Sequence, residues 1–409
     1  MADAKLHSVD DALARVLDGA RRLDGAETVP LAHALGRTLA QNLVARRTQP
    51  PLDVSAMDGY AVRAADLADS RARLRLVGES AAGHGFAGRL QNGEATRIFT
   101  GAPIPEGADA VLLQEDAVIE NGLVGANAPP CPGQNIRGKG LDFSQGAPGL
   151  FAGDRLGPAE LALAAAMNCA EAPVARRPRV ALLASGDELV PPGAAPGPAQ
   201  IVACNGFAVA AIVERAGGEV VDLGIFRDEI DELERGIALA REAKADVLAT
   251  LGGASVGDRD LLRPALARQG MILDFWRIAM RPGKPLIHGR LGDMRILGLP
   301  GNPVAAFVCA LVFLAPLLRA LQGDPRAGAD ETEAALLGAD LPANKGRRDF
   351  MRATLAKDSA GRLVATPQPL QDSSLLTELV RSQALLIRDV GAPPARAGET
   401  CRILRLPSG

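Results

Sequence analysis

Apolar residues recur at a helical period near the start of the chain. Ala12, Leu13, Val16, Leu17 and Ala20 share one face, Ser8-Val9-Asp10-Asp11 sets a carboxylate three residues after a serine as a capping box does, and Gly25 ends the run. A second helical piece is predicted after Pro30. Near Gln49-Pro50-Pro51 the texture changes to Gly, Pro and short β-prone runs at 74–77, 95–99, 110–114 and 117–120, with Asn121-Gly122 as a hairpin turn signal. This pattern predicts a small β domain inserted between helical pieces. A helix resumes at 158–167, with Pro158 in the first turn where its missing N–H does no harm.

From residue 178 the rhythm alternates. Short, largely apolar runs at 180–184, 220–223, 247–251 and 295–299, the first of them wholly apolar, are separated by helical patterns at 206–216, 229–243, 260–267 and 303–321. Strands apolar on both faces, alternating with helices, predict a mostly parallel sheet covered on both sides: a doubly wound, three-layer α/β domain. After Gly323-Asp324-Pro325 the chain returns to short strands at 350–355, 363–366, 384–388 and 401–406, which predict a small C-terminal β-barrel or sandwich. The expected organisation is a multidomain α/β protein. It comprises a discontinuous helical linker domain (1–46 and 147–177), an inserted β-rich domain (47–146), an α/β domain (178–326) and a C-terminal β domain (327–409).

Composition narrows the function. A formal net charge of −3 supplies no bulk positive field for nucleic acid, and one Tyr and one Trp make no stacking platform. The four histidines and five cysteines are scattered without any zinc-type spacing, which disfavours a structural zinc or a disulfide framework and fits a reducing compartment. No signal-peptide pattern opens the chain, and the apolar stretch 304–318 falls short of the ~20 residues of a membrane span. The expectation is a cytoplasmic protein that binds neither nucleic acid nor membrane.

Ligands of an open parallel sheet sit at the carboxyl ends of its strands. There the chain carries Ser185-Gly186-Asp187-Glu188, Arg227-Asp228, Gly252-Gly253-Ala254-Ser255-Val256-Gly257 through Asp260, and Pro300-Gly301-Asn302-Pro303. The glycine-rich loop is compatible with a plain tight turn, or with a nest of N–H groups for phosphate or another oxyanion. The acids, taken singly, read equally as helix N-caps. Together at one rim beside an anion nest they suit Mg²⁺ held by carboxylates and phosphate oxygens. The basic counterpart is the segment 276–285, where Pro282 and Pro285 stiffen the turn that presents Arg281 and Lys284; a solvated charge run is the alternative. Gly83-His84-Gly85-Phe86-Ala87-Gly88 matches a dinucleotide fingerprint literally, but no helix pattern follows it.

Several strings resemble one family, the MoeA family of molybdopterin molybdenumtransferases. They are Ser55-Ala56-Met57-Asp58-Gly59-Tyr60-Ala61, Ile98-Phe99-Thr100-Gly101-Ala102-Pro103, Asn135-Ile136-Arg137, Gly186-Asp187-Glu188-Leu189, Asn205-Gly206, Ser255-Val256-Gly257, the run from Met280 to Pro285, and the run from Leu299 to Pro303. They stand in family order across nearly the whole chain. Small departures occur at Leu251, Ser185 and Cys204; Gln371-Asp372-Ser373-Ser374 differs more and receives no role.

The resemblance implies a homodimer of four-domain subunits that inserts molybdenum from molybdate into adenylylated molybdopterin, with Mg²⁺ as cofactor and AMP released. It implies an active site between subunits. Asp58, Thr100, Glu188, Asp228, Asp260 and Lys284 are then the catalytic residues, with Glu188, Asp228 and Asp260 as metal ligands. Arg137, Asp142, Ser185, Gly186, Asp187, Gly252, Gly253, Ser255, Gly257, Arg281, Pro300 and Pro303 are the substrate-binding ones. The upstream adenylyltransferase and recipient molybdoenzymes are the implied protein partners. A non-catalytic scaffold, the adenylyltransferase itself and a tungsten-handling paralogue are the competing readings.

Overall fold

A computed structural model describes residues 6–253 and 261–407. Ser255, Gly257 and Asp260 lie outside the described residues. The central element is a six-stranded sheet in the order Glu219–Phe226, Arg179–Ser185, Val247–Leu251, Met294–Leu299, Pro285–Leu291, Ile272–Arg277. The first four strands are parallel and the last two antiparallel. Every residue of Val247–Leu251 and Met294–Leu299 is buried, Thr250 and Arg295 included, which is why these strands show no polar–apolar alternation. Two apolar cores flank the sheet. One gathers Val209, Val213, Leu297, Phe313 and Leu317; the other Leu233, Ile237, Leu262, Leu266 and Ile296.

The two antiparallel strands correct the reading of 276–285 as one loop. Trp276 and Arg277 belong to Ile272–Arg277, and Pro285 opens Pro285–Leu291, so the basic turn is a hairpin connection between edge strands. Interspersed polar residues (Asp274, Arg277, His288, Arg290) hide both strands from an apolar-run criterion.

The segments flanking the inserted domain are less helical than expected. The piece after Pro30 is a single 3₁₀ turn, Leu31–His33, following a strand, Ala26–Pro30, that pairs antiparallel with Glu171–Ala175. Helix Pro158–Ala166 forms as anticipated. Helix Val9–Leu17 is capped by the Ser8 hydroxyl, which accepts the Asp11 N–H at 3.0 Å. That helix packs on the α/β core through Val9, Ala12 and Val16.

The inserted domain holds a six-stranded sheet in the order Ala110–Leu113, Gly59–Val62, Glu94–Ile98, Leu74–Ser80, Leu123–Ala126, Ala117–Glu120. Asn121 and Gly122 turn its last hairpin with φ of 50° and 78°. The C-terminal strands close into a five-stranded barrel, because Arg348–Lys357 pairs both with Leu363–Pro367 and with Ala384–Arg388. A sixth strand, Met280–Arg281, reaches out of the α/β domain and adds in parallel to Arg348 and Asp349.

Helix Pro303–Leu321 runs the 19 residues its pattern predicts, and is the one helix among the described residues long and apolar enough by length and composition to cross a membrane. Most of its apolar window is packed inside the protein. It continues past Pro316 because residues Ala310–Leu314 take a wider π turn just before the proline, where an ordinary turn would set the ring against the carbonyl four residues back.

Candidate functional site

The chain order of the parallel strands runs from Arg179–Ser185 outward to Glu219–Phe226 on one side, then across to Val247–Leu251 on the other. The reversal at Arg179–Ser185 is a topological switch point, where the loops after neighbouring strands diverge and leave a crevice. A cavity of about 660 Å³ opens there. Ser185, Glu188, Asp228, Gly252, Gly253, Pro300 and Asn302 line one wall, and Arg281, Pro282, Gly283 and Lys284 another. The barrel closes it with Arg347, Gln371, Asp372 and Ser373.

Each side chain has a local reason for its position. Glu188 folds back over Gly186, where a Cβ would lie 2.6 Å from the Glu188 carboxylate. The Asp187 carboxylate accepts the Asp228 backbone N–H at 3.3 Å, so it ties two rim loops together and does not itself line the cavity. Burial pushes the Asp228 carboxyl above the usual carboxylate range, and the negative charges of Asp187 and Glu188 add to this. The Ser185 hydroxyl offsets part of the shift, yet it is buried without a well-formed hydrogen bond. An acid raised chiefly by burial, beside a buried hydroxyl short of a partner, is a site prepared for a cation or a polar ligand.

The opposite wall is cationic but only partly free. The Arg281 guanidinium forms a bidentate pair with Asp349 of the barrel, Nε to Oδ1 at 2.8 Å, and this neighbour holds its pKa above the usual range. Arg348 is likewise committed, to Asp10 and Asp389. Lys284 and Arg347 have no ion-pair partner among the described residues, so they carry the net positive charge of this wall. Gly283 allows the turn to sit directly on the core: its φ is +107°, and a Cβ would meet Cys309 Sγ at 2.5 Å.

Of the residues singled out from sequence, Ser185, Glu188, Asp228, Gly252, Gly253, Arg281, Lys284 and Pro300 lie around this one cavity. Gly186 and Asp187 stand behind it. Pro303 begins the long helix, and Asn302 and Ala305 form the wall on either side of it. Asp58, Thr100, Arg137 and Asp142 are elsewhere in the chain. Asp58 Oδ1 accepts both the backbone N–H and the hydroxyl of Thr100 at 2.7 Å, which holds its carboxyl below the usual range. Arg137 and Asp142 line a separate cleft of about 470 Å³ with Pro50, Pro103 and Leu141. Gly83 to Gly88 form no dinucleotide loop: Ala81 pairs with His84 in a tight turn, and no helix follows.

Sequence reasoning assigned nothing to Asn205, Arg347 or the turn 371–373. Asn205 Nδ2 donates to the Gly301 carbonyl at 2.8 Å and so locks two rim loops. Asn302 Nδ2 donates to Ser373 Oγ at 2.8 Å, and the Val304 N–H to the Ser373 carbonyl at 3.0 Å, which docks the barrel turn on the rim. Arg352, 1% exposed, holds that turn from behind through the carbonyls of Leu370, Asp372 and Leu375. The signal for Arg347 was its place in the run Arg347-Arg348-Asp349, but which arginine faces the cavity depends on the barrel.

These features define a multidomain protein whose α/β switch-point crevice is completed by a β-barrel, with carboxylates facing cations across a cavity sized for a cofactor-like molecule. Three family models match in succession: the MoeA N-terminal region, domains I and II, over residues 7–168; a probable molybdopterin binding domain over 181–320; and the MoeA C-terminal region, domain IV, over 334–406. The chain is 35% identical to the molybdopterin molybdenumtransferase of Haemophilus influenzae, covering 97% of this chain and 98% of that one. It is 35% identical to the enzyme of the same name from Bacillus subtilis, covering 97% and 93%. A crystal structure of a MoeA molybdopterin biosynthesis protein from Pyrococcus horikoshii superposes with a TM-score of 0.83 at 27% identity, over 98% of this chain and 100% of that one. The chain belongs to the MoeA family.

Proposed function

We propose that this protein is a molybdenum insertase: it transfers molybdenum from molybdate to adenylylated molybdopterin, with release of AMP and formation of molybdenum cofactor. The observation that carries the reading is the meeting of Glu188 and Asp228 with Lys284 in one cavity of about 660 Å³. Its size suits a pterin-sized ligand, and its two charge types suit a substrate that brings phosphates and a metal oxyanion. The relatives described above are named molybdopterin molybdenumtransferases.

The residues present fit Mg²⁺, a hard cation that takes one or two carboxylates and leaves its other positions to water and phosphate. Glu188 and Asp228 would hold it, with Asp260 assigned by resemblance. When bound, the ion neutralises phosphate oxygens and so favours departure of AMP. Lys284 binds substrate anions, and Arg281, fixed by Asp349, shapes the turn that presents it. The dithiolene of the substrate supplies the soft ligands that molybdenum needs, so no cysteine of the protein does.

We also propose a cytoplasmic homodimer in which Asp58, Thr100, Arg137 and Asp142 of one subunit face the cavity of the other. What supports this is that these residues lie in a different domain from that cavity and line none of it. The corresponding domain limits are 1–46 with 147–177, 47–146, 178–326 and 327–409.

The test is AMP release from adenylylated molybdopterin, with and without molybdate and Mg²⁺. Loss of product when either is withheld supports the reading, and molybdate-independent release or none at all overturns it. The subunit arrangement is tested by mixing Asp58→Ala and Asp228→Ala chains after unfolding and refolding together. One intact site in each mixed dimer restores about a quarter of wild-type turnover; sites within single chains restore nothing.

A further inference from the structure

Helix Asn205–Arg215 begins at the cavity just described and ends at another. Asn205 lines the first; Glu214, Arg215 and Gly217 line a second, of about 600 Å³. Eleven residues of helix put the two about 16 Å apart, on opposite edges of the sheet. The second cavity is built by three distant parts of the chain: the loop at Arg37, the segment Arg155 to Glu160 with Arg177, and the helix end with Arg326. Five of its lining residues are arginines, against the two carboxylates of Glu160 and Glu214.

Arg155, Arg177 and Arg326 meet no carboxylate at ion-pair distance among the described residues, and Arg37 meets only Glu27. Arg155 gives its guanidinium to the carbonyls of Arg215 and Ala216, not to a carboxylate. Arg177 and Arg326 have no ion-pair partner among the described residues. Glu160 is engaged with the Gly157 N–H at 2.9 Å as a helix cap. Arg37 is 3% exposed; it pairs with Glu27 through one terminal nitrogen, while its Nε is buried with no hydrogen-bond partner. Burial, and then the nearby Arg177, hold the Arg37 guanidinium below its ordinary range; burial and Arg319 do the same to Arg155. Guanidiniums crowded among like charges, with few carboxylates beside them, lack the compensating acceptor that an anion would supply.

We propose that this cavity is a second ligand site, separate from the active cavity, which binds a phosphate group between Arg37, Arg155, Arg177 and Arg326. The forked donors of arginine match the oxygens of a tetrahedral anion. The cavity exceeds the volume of one phosphate ion, so free phosphate and a phosphorylated small molecule share the same recognition. A ligand held between three segments cross-links them and stabilises the folded chain by mass action.

The experiment is calorimetric titration of the full chain at low salt with two probes, inorganic phosphate and ribose 5-phosphate. Three proteins are compared: wild type, Arg177→Gln/Arg326→Gln and Lys284→Gln, with circular dichroism to confirm folding. Binding is expected in wild type and in Lys284→Gln, and at least about tenfold weaker in the double variant, since charge-assisted hydrogen bonds are lost. Tighter ribose 5-phosphate than phosphate identifies an ester ligand; equal affinity identifies the free ion. The site is overturned if wild type binds neither probe at millimolar concentration, if the folded double variant binds as wild type does, or if only Lys284→Gln weakens binding. Should the double variant not fold, Arg326→Gln alone, at an exposed side chain, is read by the same criteria.

Discussion

Arg281 and Asp349 form a two-pronged ion pair across 68 residues of sequence, and through it the basic turn of the α/β domain is fastened to the barrel. Arg281 is largely exposed and Asp349 almost buried, so the pair acts as a clamp more than as a source of stability. Asp349→Asn is expected to cost no more than about 1 kcal/mol in urea unfolding. It should lower turnover several-fold, because the turn that carries Lys284 loses its anchor. Unchanged turnover with lowered stability would sink this assignment.

Asp228 predicts a stability that works against activity. Its folded pKa is raised, so between the unfolded and folded values the native state holds more protons than the unfolded one. Stability contributed at this site therefore falls as pH rises through that interval and stays low at neutral pH. Asp228→Asn should raise the Tm at pH 7 and lose this advantage as pH is lowered toward 4, while turnover drops by about a hundredfold or more. A Tm at pH 7 equal to or below wild type contradicts the prediction.

Arg352 is a positioning residue. Removing it leaves the carbonyls of Leu370, Asp372 and Leu375 without their donor inside the barrel. Arg352→Ala is expected to cost about 3 kcal/mol, and Arg352→Lys, which cannot span three acceptors, somewhat less. Because the turn 371–373 forms a wall of the cavity, KM for the pterin substrate should rise in Arg352→Lys even where the protein remains folded; steady-state kinetics at a temperature well below its Tm would check this.

Gly283 and Cys309 are coupled by contact. Gly283→Ala places a methyl 2.5 Å from the Cys309 sulfur and forces a side chain onto φ of +107°, for a loss of about 2 kcal/mol. Cys309→Ala should recover part of that loss in the double variant and leave the backbone strain. A double-mutant cycle in chemical denaturation separates the two; strict additivity would show that the methyl and the sulfur do not compete for space.

The local pattern of the chain contained the parallel strands and their rim. Runs such as Val180 to Ala184 are apolar at every position because helices cover both faces, and that is legible without neighbours. The acids and glycines that end those strands could be listed in order, since ligands of such sheets collect at the carboxyl edge. The strands Ile272–Arg277 and Pro285–Leu291 were not legible, because their polar positions are satisfied by helix Val9–Leu17 from far upstream, as where Arg15 meets Asp274 at 2.8 Å.

Thus sequence alone determined which segments bury both faces, where their loops carry charge, and the family strings along the way. Tertiary structure decided which cations are spent and which are free. Arg281 and Lys284 look alike in sequence, and only the docking of the barrel neutralises one of them with Asp349. It likewise brought the turn 371–373 to the cavity and gathered Arg37, Arg155, Arg177 and Arg326 at the far end of a helix. Burial periodicity is a property of neighbours along the chain; charge compensation is set by contacts between residues tens to hundreds of positions apart, and no local spacing encodes them.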